Sequence, residues 1–176
     1  MMAGSVPTLF WFDRFDDRIG VLPVVGELVH TEELNGEDTV EFETREAPAK
    51  GDRLLWRDGE VWHEHVVVRT DEPLEGLCSV YAESSLCELL DDFIEEQHLV
   101  SRTASQALAV ALAPTRWAIG SCDVVGTAGC VLYHVNAFWA LRRIAEVWDG
   151  EVTPVISVAG GRVASRSVRF DSQRGS

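Results

Sequence analysis

The chain has 176 residues, of which 46% are hydrophobic and 25% charged, a composition typical of a globular protein with one core or two small ones. Its formal net charge of -14 argues against nucleic-acid binding through phosphate neutralisation, which depends on an excess of basic side chains. No apolar run approaches the roughly 20 residues of a membrane-spanning helix. Because Met1–Val6 is too short and uncharged for a signal peptide, we expect a soluble protein with no membrane partner that is not secreted by that route.

The charge and the cysteines are unevenly placed along the chain. Residues 1–100 hold 24 acidic and 7 basic side chains, a net of -17, whereas residues 101–176 carry a net of +3. Opposite signs on the two halves suit packing of copies in a ring, with ordinary solvated surfaces as the alternative. The four cysteines have no CxxC spacing and are expected to be buried thiols in a reducing compartment. They are Cys78, Cys87, Cys122 and Cys130.

The first eighty residues have the alternation of short β-strands separated by turn signals. Asn35-Gly36 and Asp58-Gly59 are strong turn signals, because these residue types tolerate positive φ. The pattern predicts a small β-barrel or curled sheet over residues 7–82. The expected strands are Leu9–Phe12, Ile19–Val25, Thr39–Thr44, Arg53–Trp56, Glu60–Arg69 and Leu77–Ala82.

The stretch Val80–Gln97 marks the predicted boundary between the halves. Its apolar residues recur at helical spacing, and Ser85 with Glu88 has the spacing of a capping box. The sequence therefore predicts an amphipathic helix here. Its other face would carry the carboxylates of Glu88, Asp91, Asp92, Glu95 and Glu96, most simply as a solvated surface with a channel or partner surface as the alternative.

Residues 83–176 are predicted to form an α+β domain of three helices and short strands, so the overall class is α+β. A second helix follows the Thr103–Gln106 capping box, and a third follows Asn136 as N-cap, with Gly150 as its C′ residue. A closing hairpin is predicted around Gly160-Gly161. The expected strands are Arg116–Ile119, Val131–Val135, Val152–Ala159 and Arg162–Phe170.

Side chains with possible chemistry are few. His63 and His65 share one face of a predicted strand and could begin a metal site, but an ordinary amphipathic strand is the favoured explanation. A cysteine nucleophile, Cys87, Cys122 or Cys130, could take His98 or His134 as its base. The glycine-rich segment 126–129 lacks the lysine of a phosphate loop. We assign no catalytic, cofactor-binding or metal residues and expect no cofactor.

Several segments, in order, carry a resemblance to a known family. The chain resembles the N-terminal region of phage and prophage minor tail proteins, also described as tail-associated lysins or prophage tail endopeptidases. The resemblance covers about Leu9 to Phe170. The segments are Glu33–Gly36 ahead of Thr39–Thr44, Tyr81–Glu83 leading into Glu88–Ile94, Ser105–Leu108, Thr115–Gly120 and Ala140–Glu151.

The resemblance implies a structural role and no enzymatic activity in this chain. It implies a baseplate hub component that closes the distal tail tube and surrounds the DNA exit channel. The implied partners are two further copies in a homotrimer, the distal tail protein and the tail-tube protein, and DNA would pass without specific binding. The implied location is the virion tail, after assembly in the host cytoplasm. Because family members continue into further hub domains and C-terminal hydrolases, we expect this chain to be a fragment.

Two other functions remain open from the sequence. One is a cysteine- or metal-dependent hydrolase built from His63, His65 and one of the cysteines. The other is a monomeric binding module. For the structural role, Phe10, Trp11 and the strand of Trp62 are candidate interface anchors, with core packing as the alternative for each.

Overall fold

A computed structural model describes residues 6–172. The chain divides into two compact units, Met1–Ser85 and Leu86–Ser176. The prediction that Met1–Val6 is not a signal peptide falls almost wholly outside the described residues. So do the last four residues of the predicted second domain.

Unit 1 is one seven-stranded sheet with the strand order β2-β1-β5-β6-β7-β4-β3. Every neighbouring pair in it is antiparallel, as expected for short strands joined by turns. The strands are β1 (Leu9–Phe12), β2 (Arg18–Leu22), β3 (Val25–Glu32), β4 (Asp38–Thr44), β5 (Arg53–Asp58), β6 (Val61–Asp71) and β7 (Cys78–Ser84).

The sequence predicted six of the seven strands of unit 1 and missed β3, which lies between the predicted strand Ile19–Val25 and the Asn35-Gly36 turn. The turn at Asn35-Gly36 is present, with Asn35 at φ 49° and the Gly36 N–H bonded to the Glu33 carbonyl at 2.9 Å. The β5–β6 hairpin also forms, but Asp58 pairs with Val61. Its two turn residues are therefore Gly59 and Glu60, one position later than predicted, and Gly59 takes the positive φ of 56°.

The core of unit 1 lies on one face of the sheet. Val40 and Phe42 of β4 both point into it, as the alternation predicted, and Trp56 joins them from β5. Burial of these apolar side chains is the main stabilising term of the unit. The buried cluster is Leu9, Leu22, Val40, Phe42, Leu54, Trp56, Val67, Val80 and Ala82.

The helix predicted over Val80–Gln97 is wrong. Its first residues complete β7, Ser85–Leu90 form a short 3₁₀ helix, and Phe93–Thr103 form strand β8. Leu90 and Phe93, two residues of the expected buried face, are exposed. The Ser85–Glu88 capping box is absent, because the Glu88 carboxylate binds Arg116 and Trp117. The continuous acidic helix face is lost with the helix, since Glu95 and Glu96 point to opposite faces of a strand.

Unit 2 surrounds two α-helices with two small sheets. Strands β8 and β10 form an antiparallel two-stranded ribbon, and the second sheet has the order β11-β12-β9 with β9 parallel to β12. The two helices contact each other, and each contacts one strand of the ribbon and one strand of the second sheet. After β8, the elements are α1 (Ala104–Leu112), β9 (Ala118–Cys122), β10 (Thr127–Asn136), α2 (Ala137–Trp148), β11 (Gly150–Ala159) and β12 (Arg162–Ser172).

Both α-helices begin where the sequence predicted. Thr103 and Gln106 form the complete capping box of α1, and the Asn136 side chain accepts the Trp139 N–H at α2. At the end of α2 it is Asp149, at φ 54°, that takes the left-handed conformation. Gly150 begins β11 instead of ending the helix. A side chain there would collide with the buried Phe170 ring.

The predicted class needs correction at its second half. Strands make up 57% of the described residues and helices 16%, so the fold is mostly β, with a curled half-barrel sheet in unit 1. Within residues 6–172, unit 2 has two α-helices, and the third predicted helix is the 3₁₀ turn and strand described above. None of the helices described is both long and apolar enough to span a bilayer.

Candidate functional site

His63 and His65 share one face of β6, as the strand alternation predicted. His65 is fully buried and His63 is half-buried. The Trp56 ring stacks on His63 with ring centroids 4.4 Å apart and an interplanar angle of 16°. The two imidazoles therefore belong to the concave face of the sheet, beside the core tryptophan.

Two further residues, His30 and Asp38, join this pair from the β3–β4 hairpin, and sequence reasoning missed both. One oxygen of Asp38, Oδ1, lies 2.9 Å from His30 Nε2 and 2.9 Å from His65 Nε2. A signal was available, since strand alternation puts Asp38 on the core face of β4 with Val40. We refer to His30, Asp38, Trp56, His63 and His65 as the histidine cluster.

The hydrogen bonds of the cluster fix where its protons lie. The Trp56 indole N–H donates to His65 Nδ1 at 3.1 Å, so that nitrogen is an acceptor and the proton of His65 is on Nε2. An ionised carboxylate only accepts, so His30 also donates through Nε2. Asp38 Oδ1 thus receives two N–H groups, and the Trp56 N–H occupies the other ring nitrogen of His65.

Burial and these bonds shift three pKa values. Burial by itself would raise the pKa of Asp38, but hydrogen bonds from His30 and His65 outweigh it and hold that pKa well below its usual range. The hydrogen bond to Asp38 raises the pKa of His30 despite burial. Burial, reinforced by the neighbouring His30 and His65, lowers the pKa of His63 to about 4. Near neutral pH the cluster therefore holds one carboxylate charge and a neutral His63.

His30, Asp38 and His65 are close enough to be considered as metal ligands, with their ligand atoms within 4.8 Å of one another. The hydrogen bonding does not fit this role. A histidine that binds a metal through Nε2 carries a proton on Nδ1 and donates it to an acceptor. His65 Nδ1 instead faces the N–H donor of Trp56. The donor set suits shared protons better than a cation, and we derive no metal chemistry from it.

The proposed cysteine nucleophiles lie in unit 2, outside the histidine cluster. All four cysteines are half-buried thiols. Burial raises the pKa of Cys130, with Arg143 opposing the shift, whereas a nucleophile needs a lowered value. Of the proposed bases, His98 is bound to Glu96 at 2.6 Å, and His134 packs edge-on against Tyr133.

The aromatic interface candidates separate into two environments. Trp11 packs against the unit 1 core, and its indole N–H donates to Asp52 at 2.8 Å, which indicates core anchoring. Phe10 and Trp62 are half-buried together, with ring centroids 6.2 Å apart. Arg18 lies over the Phe10 ring and Arg57 over the Trp62 ring. These two rings remain candidate interface anchors.

The largest exposed apolar side chains of the β8–β10 ribbon form a second candidate surface. Phe93 and Tyr133 are 54% and 62% exposed, and both border the His134 ring. Val100 and Val131 are exposed on the same two strands. Exposed aromatic side chains of this size are enriched at protein interfaces.

Comparisons with known proteins agree with this picture. The sequence model of the prophage endopeptidase tail domain matches residues 91–158. A search of curated protein sequences finds no significant match.

Three solved structures share the fold. Prophage tail protein gp18 from Listeria monocytogenes EGD-e superposes with a TM-score of 0.75 at 12% identity, covering 94% of this chain and 50% of its own. A tail protein from Neisseria meningitidis MC58 gives 0.56 at 13% identity, with coverages of 93% and 50%. The prophage MuSo2 43 kDa tail protein from Shewanella oneidensis gives 0.52 at 12% identity, with 94% and 48%. The chain spans about half the length of these structures, and in domain match and in fold it resembles prophage tail proteins, as its sequence predicted.

Proposed function

We propose that this chain is a structural component of a phage tail tip or baseplate hub. In this role it closes the distal tail tube and helps to form the channel through which DNA leaves. The observation that carries the proposal is the fold shared with prophage tail protein gp18 over 94% of the chain, which includes both units. The domain match at residues 91–158 supports it independently through sequence.

The proposed oligomer is a homotrimer that also contacts the distal tail and tail-tube proteins. Its self-contacts would use the β8–β10 ribbon, because Phe93, Val131 and Tyr133 expose apolar surface that a neighbouring copy can bury. Phe10 and Trp62 are the candidate contacts of unit 1. Burial of aromatic and apolar side chains between subunits provides the stabilising free energy of such a ring.

A DNA channel in this protein would be passive. The net charge of -17 over residues 1–100 repels phosphate, so DNA would pass without being held. The proposal requires carboxylates of this part to face the lumen. A trimer whose lumen is lined by arginines would contradict it.

The proposed location is the virion tail, after assembly in the host cytoplasm. All four cysteines are free thiols, which suits folding in a reducing compartment.

The proposal assigns no hydrolysis to this chain. The matched domain is described as an endopeptidase tail domain, which makes cleavage of cell-wall peptides the reaction to test. We expect no release of peptide from peptidoglycan fragments. Cleavage that Cys130→Ser or His63→Gln abolishes would instead support the hydrolase alternative.

Oligomeric state tests the structural role. Light scattering is carried out on the full-length protein at increasing concentration. The expected mass is that of a trimer, and monomers at high concentration would contradict the proposal. Val131→Ser and Val29→Ser form a matched pair, since the two valines are 54% and 50% exposed. The first should weaken the trimer and the second should not.

A further inference from the structure

The histidine cluster joins strands that are far apart in the sheet order of unit 1. Between β3 and β5 the order places three other strands. With about 4.8 Å between neighbouring strands, a flat sheet would separate β3 and β5 by roughly 19 Å. Yet the His30 ring centroid lies 5.1 Å from that of Trp56 and 5.2 Å from that of His63. The cluster therefore closes the curl of the sheet by side-chain contact.

Asp38 is the centre of this closure. Its Oδ1 links His30, on the edge strand of the same hairpin, to His65 on β6. Trp56 anchors His65 from the other side through its indole N–H. The bond between His65 and Asp38 joins β6 to the β3–β4 hairpin, and the His30 ring reaches Trp56 on β5 and His63 on β6 by ring contact.

We propose that the histidine cluster is a proton-gated latch, which holds the edge strand β3 against β5 and β6 across the concave face of the sheet and opens when His63 takes up a proton. His30 can be protonated while the latch is closed, because Asp38 balances its charge. A proton on His63 adds a second cation 5.2 Å from the His30 ring and 6.4 Å from the His65 ring. It would be half-buried against the Trp56 face.

The charged groups around His63 decide the outcome. The carboxylate of Asp38 is already shared by two N–H groups. The carboxylate of Asp58 on β5 favours a proton on His63. Burial and the two neighbouring histidines disfavour that proton more strongly. The charged groups that shift the pKa of His30 are Asp38, Glu32 and Asp58. Those that shift the pKa of His63 are His30, His65, Asp38 and Asp58.

The sign of the pH effect follows from the direction of the shift. The pKa of His63 falls from 6.5 to about 4 on folding, so the folded state binds fewer protons than the unfolded state. Its contribution to stability is complete above pH 6.5 and is lost as the pH falls towards 4. Because the His63 imidazole is partly accessible to solvent, its charge is screened. We therefore expect the opening equilibrium to change by about tenfold, less than the full pKa shift of His63 would give.

Hydrogen exchange of the 176-residue chain between pH 6.5 and pH 4 tests the latch. After correction for intrinsic exchange, protection of the edge strand Val25–Glu32 should fall about tenfold, whereas protection of Ala137–Trp148 should not. His63→Phe, which retains a ring on Trp56 but binds no proton, should keep the protection at pH 4. His98→Gln, a change at an exposed histidine of unit 2, should lose it as the wild type does. Equal loss in wild type and His63→Phe, or no loss in wild type, would overturn the proposal.

A second measurement needs no variant of the cluster. Nitrogen-15 NMR of the histidine rings in the wild type should show His65 with its proton on Nε2 between pH 6.5 and 8. A proton on His65 Nδ1, together with a Zn²⁺-dependent rise in melting temperature, would identify a metal site and overturn the latch.

Discussion

The Glu88 carboxylate binds Arg116 and Trp117, and the contributions of these two partners can be separated by mutation. It receives Arg116 Nε at 3.0 Å and Nη2 at 2.8 Å, and it accepts the Trp117 indole N–H. Trp117 is buried, whereas the Arg116 side chain is 44% exposed. The buried N–H and the partly exposed ion pair should therefore contribute unequally to stability.

We expect Glu88→Ala to destabilise the chain by about 1–4 kcal/mol. Leaving the Trp117 N–H buried without this acceptor costs about 1–3 kcal/mol, and losing a partly exposed ion pair costs about 0–1 kcal/mol. Glu88→Gln retains an oxygen that can accept the indole N–H, so it should cost about 1 kcal/mol. Arg116→Ala should also cost about 1 kcal/mol, because it removes only the screened pair.

Urea unfolding followed by circular dichroism measures these differences. The expected order of destabilisation is Glu88→Ala, then Glu88→Gln and Arg116→Ala together. A double-mutant cycle between Glu88→Ala and Trp117→Phe should give a coupling of about 1 kcal/mol or more. If Glu88→Ala were no worse than Glu88→Gln, the buried hydrogen bond would not be the main term and the reasoning would be refuted.

Three further changes test the fold and the cluster. Gly150→Ala should cost about 1–3 kcal/mol in urea unfolding, because its methyl group overlaps the buried Phe170 ring; a neutral result would contradict that packing. Thr103→Ala removes the α1 cap and should cost about 1 kcal/mol, with faster hydrogen exchange in the first turn, and unchanged exchange would count against the capping box. Because folding raises the pKa of His30 above 6.5, its stabilisation is complete below pH 6.5 and is lost as the pH rises through the higher pKa of the folded state. The wild type should therefore melt higher at pH 6.5 than at pH 9, and Asp38→Asn should reduce the difference; an unchanged difference would rule out this pairing.

Local signals in the sequence predicted those elements that depend on a few neighbouring residues. The capping box at Thr103, the cap at Asn136 and the glycine turn at Gly160-Gly161 each need only groups within a few positions. In that turn, both glycines take positive φ, at 59° and 72°. Residue type alone is therefore enough to predict these conformations.

The stretch Val80–Gln97 shows where local signals fail. Its leucine spacing fits a helix, but pairing of Val80 with Phe42 and of Ile94 with Val135 places its two ends in different sheets. Strand pairing between distant segments therefore outweighs local periodicity here. The exposed Leu90 and Phe93 are the positions at which the helical interpretation breaks down.

The histidine cluster was predictable only in part. Alternation along β6 sufficed to put His63 and His65 on one face. His30 lies beside this pair because the whole sheet curls, and no local pattern of residues encodes that curl. Asp38 could have been suspected as a charged residue at a core-face position of its strand.

The central claim is that this chain belongs to the tip of a phage tail. Immunogold labelling of induced, purified tail particles with antibodies against this chain tests it most directly. The account predicts gold at one end of the tail, the end distal to the head, in intact particles. Particles that assemble complete tails without this chain, or gold spread along the tube, would contradict it.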